Sequence, residues 1–146
     1  MSKSNTFEAD LLKLIFNATP IGNLADNAAT SPLTNLFVSL HTADPGEAGN
    51  EGTSEATYTG YARVAVVRTS SGWTISGTAP TQAANAATVN FPACTGGSNT
   101  LTFFGVGFAS TGATEIMYSG ALTASLAVSA GITPSIAAGA LVCTED

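Results

Sequence analysis

Apolar and polar residues alternate with a period of two along most of this chain, and only the N-terminal segment follows a helical period. Leu36, Val38 and Leu40 alternate with Phe37, Ser39 and His41, and Ala62, Val64 and Val66 alternate with Arg63, Ala65 and Val67. Such alternation is the signature of strands with two unlike faces. Further strands are expected at Gly72–Ser76, Ala86–Phe91, Leu101–Ala109, Glu115–Ser119, Leu122–Ser129 and Ala138–Thr144, about eight in all. Gly-Gly, Ser-Gly, Thr-Gly and Pro break the chain at roughly ten-residue intervals, as in sandwiches and barrels. The expected fold class is therefore all-β: a β-sandwich, with the jelly roll among its forms, carrying one N-terminal α-helix and an extended linker.

The helix is expected over Thr6–Asn17, with Asn5 and Glu8 spaced as a capping box. Phe7, Leu11, Leu14 and Ile15 share one face, and Leu12 and Phe16 widen it. A surface that broad has two uses. In one, the helix caps the end of a β core; in the other, Phe7, Leu11, Leu12, Ile15 and Phe16 dock on a neighbouring subunit. Thr19-Pro20 ends the helix, because a residue before proline avoids helical geometry, and Ile21–Asn35 reads as a linker. Residues 1–35 thus form a helix and arm, and residues 36–146 a β-sandwich domain.

Length and composition narrow the classes. A chain of 146 residues fits one domain with a real core. Only 10% of its residues are charged against 45% apolar, well below the roughly one-quarter charge of an ordinary soluble domain. A surface so poorly solvated suits a subunit covered in part by partner protein, including further copies of itself as a dimer or trimer. The net charge of −6, with Lys3, Lys13, Arg63 and Arg68 the only cations, argues against binding nucleic acid through its phosphates. The N-terminal segment is interrupted by Glu8, Asp10 and Lys13 and does not read as a signal peptide. The tract Ala121–Cys143 is broken by Ser, Thr, Gly and Pro134 and does not read as a membrane span.

Little in the chain points to chemistry. Cys94 and Cys143 lack metal-ligand spacing and are expected as buried thiols. His41, the single histidine, has no nucleophile-elbow serine to serve and is expected to bond a backbone group or a carboxylate. Asp44, Glu47, Glu51 and Glu55 gather in a loop with Gly46, Gly49 and Gly52. Their order is not that of a calcium loop, so they read as a solvated acidic contact loop or as partners for Lys or Arg on a neighbouring subunit. Gly105 and Gly107 leave one face of a strand bare, as room for a large side chain such as Trp73 or for a neighbouring chain. Tyr58, Tyr61 and Trp73 are expected in the core or an interface rather than as a sugar platform. No cofactor, metal or enzymatic role is expected.

The phrase SLHTADPGEAGN, followed by YTGYARVAV, GWTISG, FPACTGG, the Phe- and Gly-rich strand and a terminal TED, resembles a family of small bacteriophage virion structural proteins whose members are often labelled tail fibre proteins. The resemblance implies a virion protein made in the host cytoplasm. The first expectation is a capsid decoration or cement protein bridging major capsid subunits; the alternative is a tail fibre or tail-tip component taking part in host-surface recognition.

Overall fold

The computed structural model describes residues 5–21, 33–78 and 80–145. Among the described residues one helix, α1 (Asn5–Asn17), precedes nine strands: β1 (Asn35–His41), β2 (Val64–Val67), β3 (Trp73–Ser76), β4 (Thr81–Asn85), β5 (Val89–Asn90), β6 (Ser98–Gly107), β7 (Ile116–Ser129), β8 (Ser135–Ile136) and β9 (Val142–Glu145). The fold is thus all-β, with a single helix among the described residues, and its strands form antiparallel sheets of four (β2-β1-β6-β7), three (β3-β4-β9) and two (β5-β8). A jelly roll would need two sheets of four, which these strands do not form. Most of the expected linker, residues 22–32, lies outside the described residues, as do the side chains of Asn5 and Phe7.

The chain divides into two compact units. The first is Met1–Asn35, Val66–Thr88 and Ala137–Asp146, so α1 groups with strands from the middle and end of the sequence. The helix packs on β3, β4 and β9 with Glu8, Leu12 and Phe16, spaced four residues apart, buried on one line. Phe16 meets Trp73 with ring centroids 4.7 Å apart. Arg68 closes the end of the helix: its Nε donates to the Ile15 carbonyl, and Nη2 to that of Leu14, each at 2.7 Å. Those are carbonyls a helix terminus leaves without internal partners, and they carry the negative end of its dipole.

Strand β4, TQAAN, has no strand-like pattern, yet it is the middle strand of its sheet and its alanines Ala83 and Ala84 are buried. Small side chains allow the helix to lie close. The expected strand Ala86–Phe91 contracts to Val89–Asn90 because Asn85 bends the chain. Its amide donates to the carbonyls of Ala87 and Ala137, and its side-chain oxygen accepts from Leu141 N–H at 2.9 Å.

The second unit is Leu36–Ala65 with Val89–Ile136. Here β1 and β6 pair in unbroken register from Phe37↔Gly107 to His41↔Phe103. The two strands expected at Glu115–Ser119 and Leu122–Ser129 are one strand, β7. Gly120 does not break it; it lies opposite Phe104, whose ring fills the space a side chain there would take. Tyr61 stacks on Phe91 at 6.4 Å and meets Tyr58 edge-on at 5.4 Å, so these tyrosines serve the interior of this unit, as Trp73 serves the other.

Candidate functional site

The densest polar arrangement lies in the second unit, where a long loop between β1 and β2 folds back on the sheet. The turn Asp44-Pro45-Gly46 begins it. Asp44 Oδ1 accepts the Gly46 N–H at 2.9 Å, and Gly46 has a φ of +69°, a left-handed geometry that glycine adopts without strain. Further along, Glu51 turns inward. Arg63 reaches it from the segment leading into β2, and the guanidinium uses all five of its N–H donors. Nε and Nη2 form a fork on Glu55 at 2.6 and 2.8 Å. Nη1 donates to Glu51 Oε2 and to the Ala109 carbonyl, both at 3.0 Å, and Nη2 also to the Gly112 carbonyl at 2.7 Å. Thr114 Oγ1 adds a bond of 2.5 Å to Glu51 Oε2, and Tyr61 donates to Glu55 Oε1 at 3.0 Å while accepting from the Leu40 N–H.

Electrostatics follow from this packing. Two carboxylates share one guanidinium, and Glu51 is fully buried with its Oε1 lacking a hydrogen bond. Burial therefore pushes the Glu51 pKa up, against the pull of Thr114 and Arg63; Glu55 pushes the same way as burial, and the Ala109 backbone pulls weakly down. Arg63 is held above its ordinary value, first by its bonds to Glu55. Burial raises the Tyr61 pKa, so its hydroxyl stays protonated as a donor. A cleft of about 210 Å³ borders the cluster, lined in part by Glu55, Tyr61, Arg63 and Gly112. The Arg63 N–H groups and both Glu55 oxygens are already bonded within the chain, so these two charged groups are not left free to hold a ligand.

His41 sits nearby, fully buried. Its Nδ1 is 2.8 Å from the Thr53 carbonyl, which can only accept, so Nδ1 carries the proton. Nε2 then accepts from Ser39 Oγ at 2.8 Å. Burial lowers the His41 pKa, while the Thr53 bond and Glu55 oppose and Arg63 assists. A Ser–His pair of this kind resembles half of a hydrolytic triad. Both members are sealed from solvent, and a backbone carbonyl stands where a triad has its carboxylate, so the pair ties β1 to the loop.

The acidic loop therefore splits. Asp44 and Glu47 remain exposed and line an open concavity of about 400 Å³ with Ile116, Met117 and Ser119. Glu51 and Glu55, read from the sequence as solvated or facing a neighbour, instead pair with Arg63 of the same chain, because Arg63 would otherwise be a buried unpaired cation. The space beside Gly105 and Gly107 is taken by Ser39, His41 and Ile116 at the first and by Glu51 at the second, not by Trp73. Among the candidate docking residues, Leu12 and Phe16 are buried, Leu11 and Ile15 are half-buried, and the Phe7 side chain lies outside the described residues. Arg63 was not picked out by sequence reasoning as a site residue, and Tyr61 was expected only as a core or interface aromatic. The available signal was an arginine within an apolar strand run in a chain with four cations.

Neither cysteine is in a disulfide; Cys143 is buried, which pushes its thiol up to about 12. Among the described residues no group of three or more His, Cys, Asp or Glu is arranged to hold a metal, and no helix is long and apolar enough to cross a membrane.

Compared with known families, residues 2–144 match the family model described as podophage GP4 fiber I protein gp80. The match covers nearly the whole chain, which therefore belongs to this family of phage virion fibre proteins. No curated protein matches it.

Proposed function

We propose that this member of the podophage fibre I family is a non-enzymatic subunit of a short virion fibre, taking part in attachment to the host surface. The observation that supports the reading is the extent of the family match, residues 2–144, which leaves no sizeable part of the chain for another module. The polar chemistry agrees with a structural role. Arg63 spends its donors on holding loops, and the Ser39–His41 pair is closed to substrate. Its partners in this reading are other virion subunits, held by apolar contacts at roughly 25 cal/mol per Å² of buried apolar area.

A second reading, capsid decoration, draws on the low charge of 10% and on the half-buried Leu11 and Ile15 of α1, which leave apolar surface for a neighbour. Imaging virions by cryo-electron microscopy with tagged copies of the chain separates the two. The fibre reading expects a small set of copies at the tail or on discrete appendages. Copies spread over the whole head would replace it with decoration.

A further inference from the structure

Strand β7 forms one border of the four-stranded sheet, and among the described residues no strand pairs with its outer side. Such a border presents unpaired backbone N–H and C=O groups that recruit other strands. Proteins usually guard it with lysines, inward-pointing charges, prolines or bulges. Of these devices β7 has only bulges. Ile116–Ser129 contains neither a charge nor a proline, while its register with β6 shifts between Leu101↔Leu126 and Phe103↔Ala121 and again near Gly107. Along its far half, Ala121, Thr123, Ala124, Ser125, Ala127 and Ser129 are exposed, and Leu122, Leu126 and Val128 turn inward.

Charge selects the occupant. With a net charge of −6, two copies repel unless they meet where neither carries charge. No charged residue lies between Ile116 and Thr144. The near end of β7 is different: Asp44 and Glu47 share the concavity there with Ile116, Met117 and Ser119. A basic partner would be drawn to that acidic end, whereas the neutral far half suits another copy of the same acidic chain.

We propose that Ala121–Ser129 of β7 is the contact between two copies of this protein, paired antiparallel and edge to edge about a two-fold axis. An axis near Ser125 sets Ala121 opposite Ser129 of the other copy and Thr123 opposite Ala127. The acidic concavities then fall at opposite ends, on the order of 30 Å apart at about 3.3 Å per residue, beyond the roughly 8 Å range of charge in physiological salt. The small side chains of the exposed face let the two backbones approach. This deepens the fibre-subunit reading, yet it concerns association in solution, so either can fail alone.

Sedimentation equilibrium of the full chain at about 0.05 and 0.5 M salt tests it. The expected result is a dimer that does not loosen at high salt, because the contact is uncharged and the acidic ends lie far apart. Thr123→Lys with Ala127→Lys should weaken it about tenfold or more without lowering the melting temperature, since edge lysines oppose strand pairing. Thr78→Lys with Ala93→Lys, in exposed loops, should not weaken it, although both pairs add the same positive charge. A monomer at every concentration, a dimer that loosens with salt, or one indifferent to the β7 lysines would overturn the proposal.

Discussion

The carboxyl group of Glu51 occupies the space that a side chain at Gly107 would need. A buried loop acid and a bare strand position fit one another, and the loop between β1 and β2 is thereby seated on β6. Gly107→Ala should therefore destabilise the protein by about 1–3 kcal/mol through overpacking, read from the midpoint of urea unfolding. In a Glu51→Ala background the same change should cost measurably less, because the obstructing group is gone. Equal costs in both backgrounds would show that the two sites are not coupled.

Arg63 is the reason a carboxylate can be buried there. Arg63→Lys keeps the charge but not the five-donor fork, leaving Glu51 or Glu55 poorly bonded. The expected loss is about 1–3 kcal/mol, the cost of leaving a buried polar group without its hydrogen bonds, visible as a lowered melting temperature. An effect below about 1 kcal/mol, typical of exposed pairs, would mean the network relaxes to water.

Stability should fall on mild acidification because of His41. Its pKa is lowered below 6.5 by burial, so the unfolded chain takes up a proton that the folded chain resists. The contribution is present above pH 6.5 and is lost as pH falls toward the folded value. Glu51 acts the other way: its raised pKa gives a contribution present below 4.5 that is lost as pH rises through the folded value. Urea midpoints at several pH values should show His41→Asn, weaker overall, losing less between neutral and mildly acid pH than the parent. A parent curve that is flat there would contradict this.

Phe16 and Trp73 report on the first unit. Trp73 is the only tryptophan and is fully buried against Phe16, so its emission should be blue-shifted in the native protein. Phe16→Ala should cost about 3–5 kcal/mol and shift the emission to the red. Leu11→Asp with Ile15→Asp, on the half-buried side of α1, should leave the emission closer to native while weakening any contact of the helix with a neighbouring subunit. If both changes alter Trp73 emission and stability alike, the helix serves only the interior of its own chain.

Cys143 gives a simple accessibility test. Burial holds its thiol pKa near 12, leaving almost no thiolate near neutral pH, and Cys94 is buried as well. Neither should react with a thiol reagent until denaturant is added; fast labelling of the native protein would show that the cores open readily.

The alternation in LFVSLH and ARVAVV determined that β1 and β2 would be strands, and the apolar spacing of residues 6–17 determined the helix, because local backbone geometry sets both periods. The sequence alone also made His41 a structural residue, and its motifs pointed to a phage virion protein. Local pattern had no hold on β4, whose TQAAN becomes a central strand only because β3 and β9 supply its hydrogen bonds and α1 covers it. Nor could it tell which side of an apolar helix would face inward: Glu8, Leu12 and Phe16 were chosen by Trp73 and the sheet beneath. The four loop acids look alike in the sequence. Only the arrival of Arg63 and the empty space at Gly107 separate the buried Glu51 and half-buried Glu55 from the solvent-exposed Asp44 and Glu47, since the charge of a buried acid depends on partners that folding brings from distant parts of the chain.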